Sequence, residues 1–165
     1  MAGPGLRPFL DADAPALAAL FRDSVTMLAA DYYDDDQLDA WASAAQDAEA
    51  FRARLASQLT LVALVGGAVA GFASLKDNAL LDMLYVRPEA ARQGVGSALA
   101  DALEKLAAAR GAAKIAADVS DAARDFFAHR GYVGVSRNTV TVAGEWLGNT
   151  TMTKELAPLP AQGRA

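Results

Sequence analysis

One stretch of the chain, residues 80–111, reads LLDMLYVRPEAARQGVGSALADALEKLAAARG. Its first seven residues are almost all apolar, which predicts a strand buried on both faces, and Asp82 is the one charged exception. Pro88 ends that strand, and leucines at helical spacing then predict a long helix that stops at Gly111. A glycine-rich turn therefore joins a central strand to a helix.

This turn, residues 92–97, has the composition of an anion site. Gly94 and Gly96 have no Cβ to hold a phosphate away from the backbone, and the first N–H groups of a helix attract anions. The turn favours a pyrophosphate cradle, with a ligand-free tight turn as one alternative. A dinucleotide site with Asp118 as the ribose acid is another, but Leu99 replaces its third glycine.

The flanking segments define the fold class. Gly66-Gly67 and Asp77-Asn78 separate apolar runs, which predicts a three-stranded antiparallel meander over residues 60–86. We expect an α/β fold with a mixed, mostly antiparallel central sheet flanked by helices, forming a single domain over residues 1–156, with a flexible C-terminal tail at 157–165. Helices are expected near residues 11–28, 37–44, 48–56, 95–110 and 121–130, and further strands near residues 5–10, 114–119, 132–142 and 145–155.

Composition excludes several classes of protein. The chain has no cysteine and only one histidine, His129, which excludes disulfides, thiolate metal sites, cysteine nucleophiles and multi-histidine metal sites. It has neither an apolar run of membrane-spanning length nor a signal-peptide pattern, and its net charge of −5 does not suit nucleic acid. We expect a cytoplasmic protein with no metal and no nucleic-acid or membrane partner, present as a monomer or homodimer.

Two motifs resemble those of the GNAT acyltransferases. Residues 84–88 (LYVRP) and 92–99 (RQGVGSAL) look like motif A of that family, although Ala91 stands where its Q/R-x-x-G-x-G/A pattern begins. Residues 120–132 (SDAARDFFAHRGY) are similar to the family helix N-x-x-A-x-x-F-Y-x-x-x-G-F. The resemblance covers about residues 5–156 and implies the GNAT acyl-CoA N-acyltransferase fold. Residues Ser24-Val25-Thr26-Met27 with Tyr33, Gln37 and Trp41 further resemble the YafP-type branch.

The resemblance implies where acetyl-CoA would bind. The strand ending at Val86 would splay from its parallel neighbour, residues 114–119, and pantetheine would lie in the gap. The amide of Leu84 would donate to the thioester carbonyl as an oxyanion-hole donor. The implied cofactor-binding residues are Leu84, Tyr85, Val86, Arg92, Gln93, Gly94, Val95, Gly96, Ser97, Ala98, Ser120, Phe126 and Phe127.

The implied activity is an N-acetyltransferase that moves acetyl to a primary amine by direct attack. Phe127 stands where the family often has a tyrosine that protonates the leaving thiolate, and Ser120 stands where it often has asparagine. A thiol with a pKa of about 8.5 leaves tolerably as thiolate, so the absence of the tyrosine lowers the rate only on the order of 10²-fold. Ser120 either donates in its place or only caps the next helix. Phe127 also leaves open a non-catalytic acyl-CoA-binding or sensor module.

The amine that accepts the acetyl group needs a general base, because an alkylamine with a pKa of about 10.4 is protonated near pH 7. Strand alternation would place Asp82 on the face of Leu84, which makes it the first candidate base, with a structural ion pair as the alternative. An excess of acids in residues 1–60 favours a cationic amine. The predicted catalytic residues are Asp82, Leu84 and Ser120, and the predicted substrate residues are Tyr33, Trp41, Asp82 and Glu145, with core packing as the alternative for the aromatic residues.

Overall fold

Seven strands form one sheet in the computed structural model, which describes residues 3–157. They are β1 (Gly5–Pro8), β2 (Leu59–Val65), β3 (Ala68–Lys76), β4 (Leu80–Val86), β5 (Lys114–Ser120), β6 (Val133–Val142) and β7 (Glu145–Glu155). The order is β1-β2-β3-β4-β5-β7-β6, and every neighbouring pair is antiparallel except β4 with β5. The predicted mixed, mostly antiparallel sheet is confirmed. The tail expected at 157–165 lies, from residue 158 onward, outside the described residues.

Helices cover both faces of the sheet. On one face, α1 (Ala14–Leu28), α2 (Asp35–Ala42) and α3 (Ala48–Ala56) enclose a core that includes Phe21, Phe51 and Phe72. On the other face, α4 (Val95–Ala109) and α5 (Arg124–His129) lie over a core of leucine, valine and alanine side chains. Each helix buries one apolar stripe, as its spacing predicts. We call the two sides the α1 face and the α4 face.

A bulge in β4 changes which side chains reach which face. Ser74 pairs with Met83 and Leu75 pairs with Leu81, so Asp82 is an extra residue without a partner on β3. Leu81 consequently packs on the α4 face, whereas Met83 packs on the α1 face. The expectation that Asp82 shares a face with Leu84 is wrong, because the bulge turns its side chain toward α3 on the α1 face.

Strands β4 and β5 separate almost at once. They pair only at Leu80 and Ala116. The amide of Arg87 donates to the carbonyl of Ala70 on β3 (2.8 Å), and antiparallel pairing alternates, so the backbone groups of Leu84 and Val86 point away from β3. They face the gap that β5 leaves, which has the splayed form that the resemblance implied.

A buried carboxylate fastens α4 to the end of the sheet. Glu104 accepts hydrogen bonds from the hydroxyl of Tyr132 (3.0 Å), Nη2 of Arg130 (3.1 Å) and Nζ of Lys154 (2.7 Å). Burial, together with the Glu104 charge, raises the pKa of the Tyr132 hydroxyl, so that hydroxyl stays a donor at neutral pH. The cluster therefore fixes the helix that carries the glycine-rich turn.

Gly71 sets how closely β3 approaches β4 and α4. A Cβ at this position would lie 2.9 Å from the carbonyl oxygen of Tyr85 and 2.9 Å from Cγ1 of Val95. Because the oxygen belongs to the backbone, Gly71→Ala should lower the free energy of unfolding by about 1–3 kcal/mol in urea denaturation. Gly5→Ala is the control, since a Cβ there meets nothing within 4 Å. Equal stability of the two variants would contradict this packing.

Candidate active site

One large cavity opens where β4 and β5 separate. Its volume is about 770 Å³, and it continues from the start of α4 past the end of β4 to the α1 face. We call the part beside α4 and α5 the cofactor end, and the part beside α1 and α2 the acceptor end. The cofactor end is lined by Leu84, Val86, Ala91, Arg92, Gly94, Gly96, Ser97, Ser120, Ala122, Ala123, Asp125, Phe126 and Phe127, and the acceptor end by Ser24, Val25, Leu28, Ala29, Trp41 and Tyr85.

The glycine-rich turn presents free amides to the cofactor end. Gly94 adopts a left-handed φ of 81°, and α4 begins at the next residue, so the N–H groups of residues 95–97 have no helical partner. At Gly96 a Cβ would lie 3.4 Å from the ring of Phe126, so glycine allows that ring to sit against the start of the helix. Free amides and the helix dipole make this turn suited to a phosphate group.

Two residues predicted to bind the cofactor do not bring free groups to it in the expected way. The amide of Ala98 already donates to the carbonyl of Gly94 (3.0 Å), and Nε2 of Gln93 donates to the carbonyl of Glu89 (3.1 Å). The side chain of Val95 lies in the core, so only its amide is available. Arg92 and Ser97 do line the cavity.

Tyr85 belongs to the acceptor end and not to the cofactor end. It pairs with Phe72 on β3, so its backbone groups are engaged there, unlike those of Leu84 and Val86. Its ring lies on the α1 face, 4.7 Å from the ring of Phe21 and 6.3 Å from that of Trp41 between centroids. Burial raises the pKa of the Tyr85 hydroxyl to about 12, so the group is neutral at physiological pH.

Ser120 and Phe127 belong to the cofactor end. The hydroxyl oxygen of Ser120 accepts from the amide of Ala123 (3.3 Å), which is the capping role, and leaves its proton free to donate. Phe127 is buried between the rings of Phe126 and Tyr132, at centroid distances of 5.2 and 4.9 Å. It offers shape but no proton.

Asp82 lies in a small adjoining cavity of about 70 Å³, together with Asp118 and Tyr85. Its Oδ2 accepts from Nε of Arg54 (3.0 Å) and from Nε2 of Gln58 (2.8 Å), so the arginine pairing considered as the alternative is present. The hydrogen bonds within residues 3–157 do not use its Oδ1. With a side chain only 17% exposed, Asp82 is a fixed carboxylate with one oxygen available.

Two predicted substrate residues line neither cavity. The hydroxyl of Tyr33 donates to the carbonyl of Gly148 (2.7 Å) and accepts from the amide of Asp121 (2.9 Å), which ties the segment before α2 to β7 and to the end of β5. Glu145 begins β7, beside the exposed ring of Trp146. Trp41, by contrast, lines both cavities.

The lining residues of α1 were missed by the sequence reasoning. Val25 and Leu28 have the helical spacing of core residues, and no sequence signal distinguishes a cavity wall from a packed core. The only pointer was the likeness of Ser24-Val25-Thr26-Met27 to one branch of the family. Within residues 3–157, no group of three or more aspartate, glutamate or histidine side chains is placed to hold a metal ion. In the same range, no helix is both long and apolar enough to cross a membrane.

Comparison with known proteins identifies the family. A family model described as an acetyltransferase (GNAT) domain matches residues 29–156. The chain is 33% identical over 147 residues to the uncharacterized N-acetyltransferase YafP of Escherichia coli (strain K12), covering 89% of this chain and 93% of that protein.

Two solved structures extend the comparison. The crystal structure of a GCN5-related N-acetyltransferase from Rhodopseudomonas palustris, named aminotransferase, class II, is 55% identical with a TM-score of 0.93, over 94% of this chain and 98% of that one. The PaiA N-acetyltransferase from Thermoplasma acidophilum in complex with coenzyme A is 19% identical with a TM-score of 0.76, over 93% of this chain and 99% of that one. This second likeness shows the fold alone.

The Tyr33 hydroxyl should matter for stability. Tyr33→Phe leaves a partly buried amide and a partly buried carbonyl without their shared partner, so the free energy of unfolding should fall by about 1–3 kcal/mol. Tyr32→Phe removes the same atom from a side chain that is 54% exposed, and it should have no measurable effect in the same urea titration. If both variants unfold like the parent protein, the bridge does not stabilise the site.

Proposed function

The chain belongs to the GNAT acetyltransferase family, and from that premise we propose that it transfers the acetyl group of acetyl-CoA to a primary amine within a ternary complex. One observation carries the proposal: a single cavity joins free amides at the start of α4, the open backbone edge of β4 and a second end on the α1 face. The binding of coenzyme A by the fold neighbour from Thermoplasma acidophilum supports the choice of cofactor. We place the reaction in the cytoplasm and assign no metal to it.

The residues of the cofactor end fit acetyl-CoA. Its phosphates would take hydrogen bonds from the amides of residues 95–97, with Arg92 and Ser97 beside them. Its pantetheine arm carries amide groups that would pair with the backbone of Leu84 and Val86, whose hydrogen-bonding groups face the gap. Acetyl-CoA supplies an acetyl group already activated as a thioester. The protein therefore needs to supply position, amide donors and one proton acceptor.

Each residue then has a defined part. The Leu84 amide donates to the carbonyl oxygen where negative charge develops. Asp82, held by Arg54 and Gln58, takes the proton that the amine nitrogen releases, through Oδ1 directly or through one water. Ser120 donates toward the departing sulfur, since Phe127 has no proton to give.

A second reading, a non-catalytic acyl-CoA-binding or sensor module, is favoured by Phe127. The cavity has an acceptor end that such a module does not need, which is why we prefer the enzyme. Thiol release across a panel of amines separates the two: binding of acetyl-CoA without thiol release on any acceptor would favour the module.

Acetyl-CoA should stabilise the protein. At about a hundred times its Kd, it should raise the free energy of unfolding by about 2.7 kcal/mol in a thermal-shift or urea experiment. NAD carries a pyrophosphate but no pantetheine arm to pair with Leu84 and Val86, so it should stabilise the protein far less. Stabilisation by NAD equal to that by acetyl-CoA would instead support a dinucleotide site.

Asp82→Asn should lower kcat by about 10²-fold while leaving the affinity for acetyl-CoA unchanged, because it removes the proton acceptor and not a cofactor contact. Asp118→Asn is the matched control, since Asp118 lines the same small cavity but accepts a hydrogen bond from Thr151 (2.6 Å). Steady-state kinetics and isothermal titration with acetyl-CoA measure both quantities. Unchanged kcat in Asp82→Asn would remove Asp82 from the reaction, and a loss in Asp118→Asn alone would transfer the role to that residue.

A further inference from the structure

We propose that the acceptor is a weakly basic amine carried by an apolar, aromatic body, and not an alkylammonium or a polyamine. This inference rests on the acetyltransfer proposed above and names the class of amine that the acceptor end takes. It replaces the expectation, drawn from the acidic residues of the N-terminal part, that the amine is cationic.

The walls of the acceptor end are apolar and aromatic. Val25 and Leu28 of α1, Ala29 directly after it, and the rings of Trp41 and Tyr85 line this end. These rings are themselves packed, Trp41 on Tyr33 (5.6 Å between centroids) and Tyr85 on Phe72 (5.7 Å), so they are rigid walls. A flat apolar group placed against these rings would bury area and make aromatic contacts.

The side chains that line the acceptor end include no anion. Within residues 3–157, no carboxylate is among its lining side chains, and the two charged residues that line the large cavity, Arg92 and Asp125, belong to the cofactor end. Tyr85, with its pKa raised to about 12, stays neutral.

The charged groups that act on Tyr85 come from α3 and β4 and cancel. Arg54 and Asp82 form an ion pair (2.9 Å), so together they bring no net charge to the acceptor end. An ammonium group moved there would lose its hydration, and the carboxylates of the adjoining small cavity, Asp82 and Asp118, are already engaged by Arg54 and Thr151. The amine is therefore one that enters uncharged.

One polar side chain is free to orient such an amine. Ser24 of α1 is 6% exposed and lines the acceptor end. Its hydroxyl makes no hydrogen bond with the described residues. This hydroxyl faces the cavity, where an amine N–H or a polar ring substituent of a ligand would form a hydrogen bond with it. Its position on the wall fits a ligand with one polar edge and an apolar face.

The chemistry agrees with this class. An amine nitrogen bonded to an aromatic ring is uncharged near pH 7, so no proton has to be removed before attack. The nitrogen forms a C–N bond to the acetyl carbon, the C–S bond breaks, and the thiolate, while it accepts a hydrogen bond from Ser120, takes its proton from water, which recovers one from Asp82. The nitrogen gives up one proton to Asp82 as the amide forms, so a carboxylate already paired with Arg54 is sufficient.

Three probe amines test the class at pH 7: aniline, benzylamine and putrescine. Thiol release should give the highest kcat/KM for aniline, a lower value for benzylamine, which has the same ring but is cationic, and the lowest for putrescine. A higher kcat/KM for benzylamine or putrescine than for aniline would overturn the inference while leaving acetyltransfer intact.

A charge inserted into the acceptor end should shift this preference. Leu28 is 42% exposed, so Leu28→Asp is compatible with folding, and it should raise kcat/KM for benzylamine relative to aniline by about fivefold to tenfold. Met27→Asp is the matched control: Met27, next to Leu28 on α1, is 64% exposed and lines neither cavity, so this substitution should leave the ratio unchanged. The same ratio in both variants would contradict the assignment of this end of the cavity.

A binding measurement keeps the test independent of turnover. The chain has two tryptophans, so Trp146→Phe leaves the indole N–H resonance of Trp41 alone in the spectrum. Titration of the acetyl-CoA complex should shift that resonance at lower concentrations of aniline than of benzylamine. If no amine releases thiol, the proposed function fails, and this titration still decides the class of ligand. Tighter binding of benzylamine would overturn the inference in either case.

Discussion

The candidate site depends on the short hydrogen-bonded pairing between strands β4 and β5. Strands β4 and β5 are hydrogen-bonded only at Leu80 and Ala116, whereas β4 stays paired with β3 and β5 stays paired with β7 along their lengths. A strand edge inside a sheet normally has no free hydrogen-bonding groups, since its neighbour takes them. Here the backbone of Leu84 and Val86 is left open next to the free amides at the start of α4. In the proposed function, the binding groups for an anionic, amide-bearing cofactor therefore come from the backbone, which accords with a chain that has one histidine and no cysteine.

The bulge at Asp82 determines which side chains of β4 reach each face of the sheet. It sends Leu81, Leu84 and Val86 toward the α4 face, while Met83 and Tyr85 reach the α1 face. Asp82 itself turns toward α3, where Arg54 and Gln58 fix one of its oxygens. The cofactor end and the acceptor end therefore meet across one strand.

The sequence was informative wherever a local pattern determined the structure. The glycine pair at residues 66–67 predicted the hairpin, the apolar run of β4 predicted a central strand, and Gly94 with Gly96 predicted a helix start with free amides. What depended on register or on distant contacts was not predictable. The β4 bulge slips the pairing by one residue, which leaves no trace in composition, and alternation then placed Asp82 on the wrong face. Tyr33 meets Gly148, 115 positions away, so its structural role was invisible beside its aromatic character.

Amide hydrogen exchange, read residue by residue by NMR, tests the central claim most directly. In the free protein, the amides of Tyr85 and Arg87, which point toward β3, should exchange slowly, and those of Leu84 and Val86 should exchange fast. Acetyl-CoA should slow exchange at Leu84 and Val86, and at residues 95–97, without changing it at Tyr85. Slow exchange at Leu84 and Val86 in the free protein, or no protection of them by acetyl-CoA, would contradict the account.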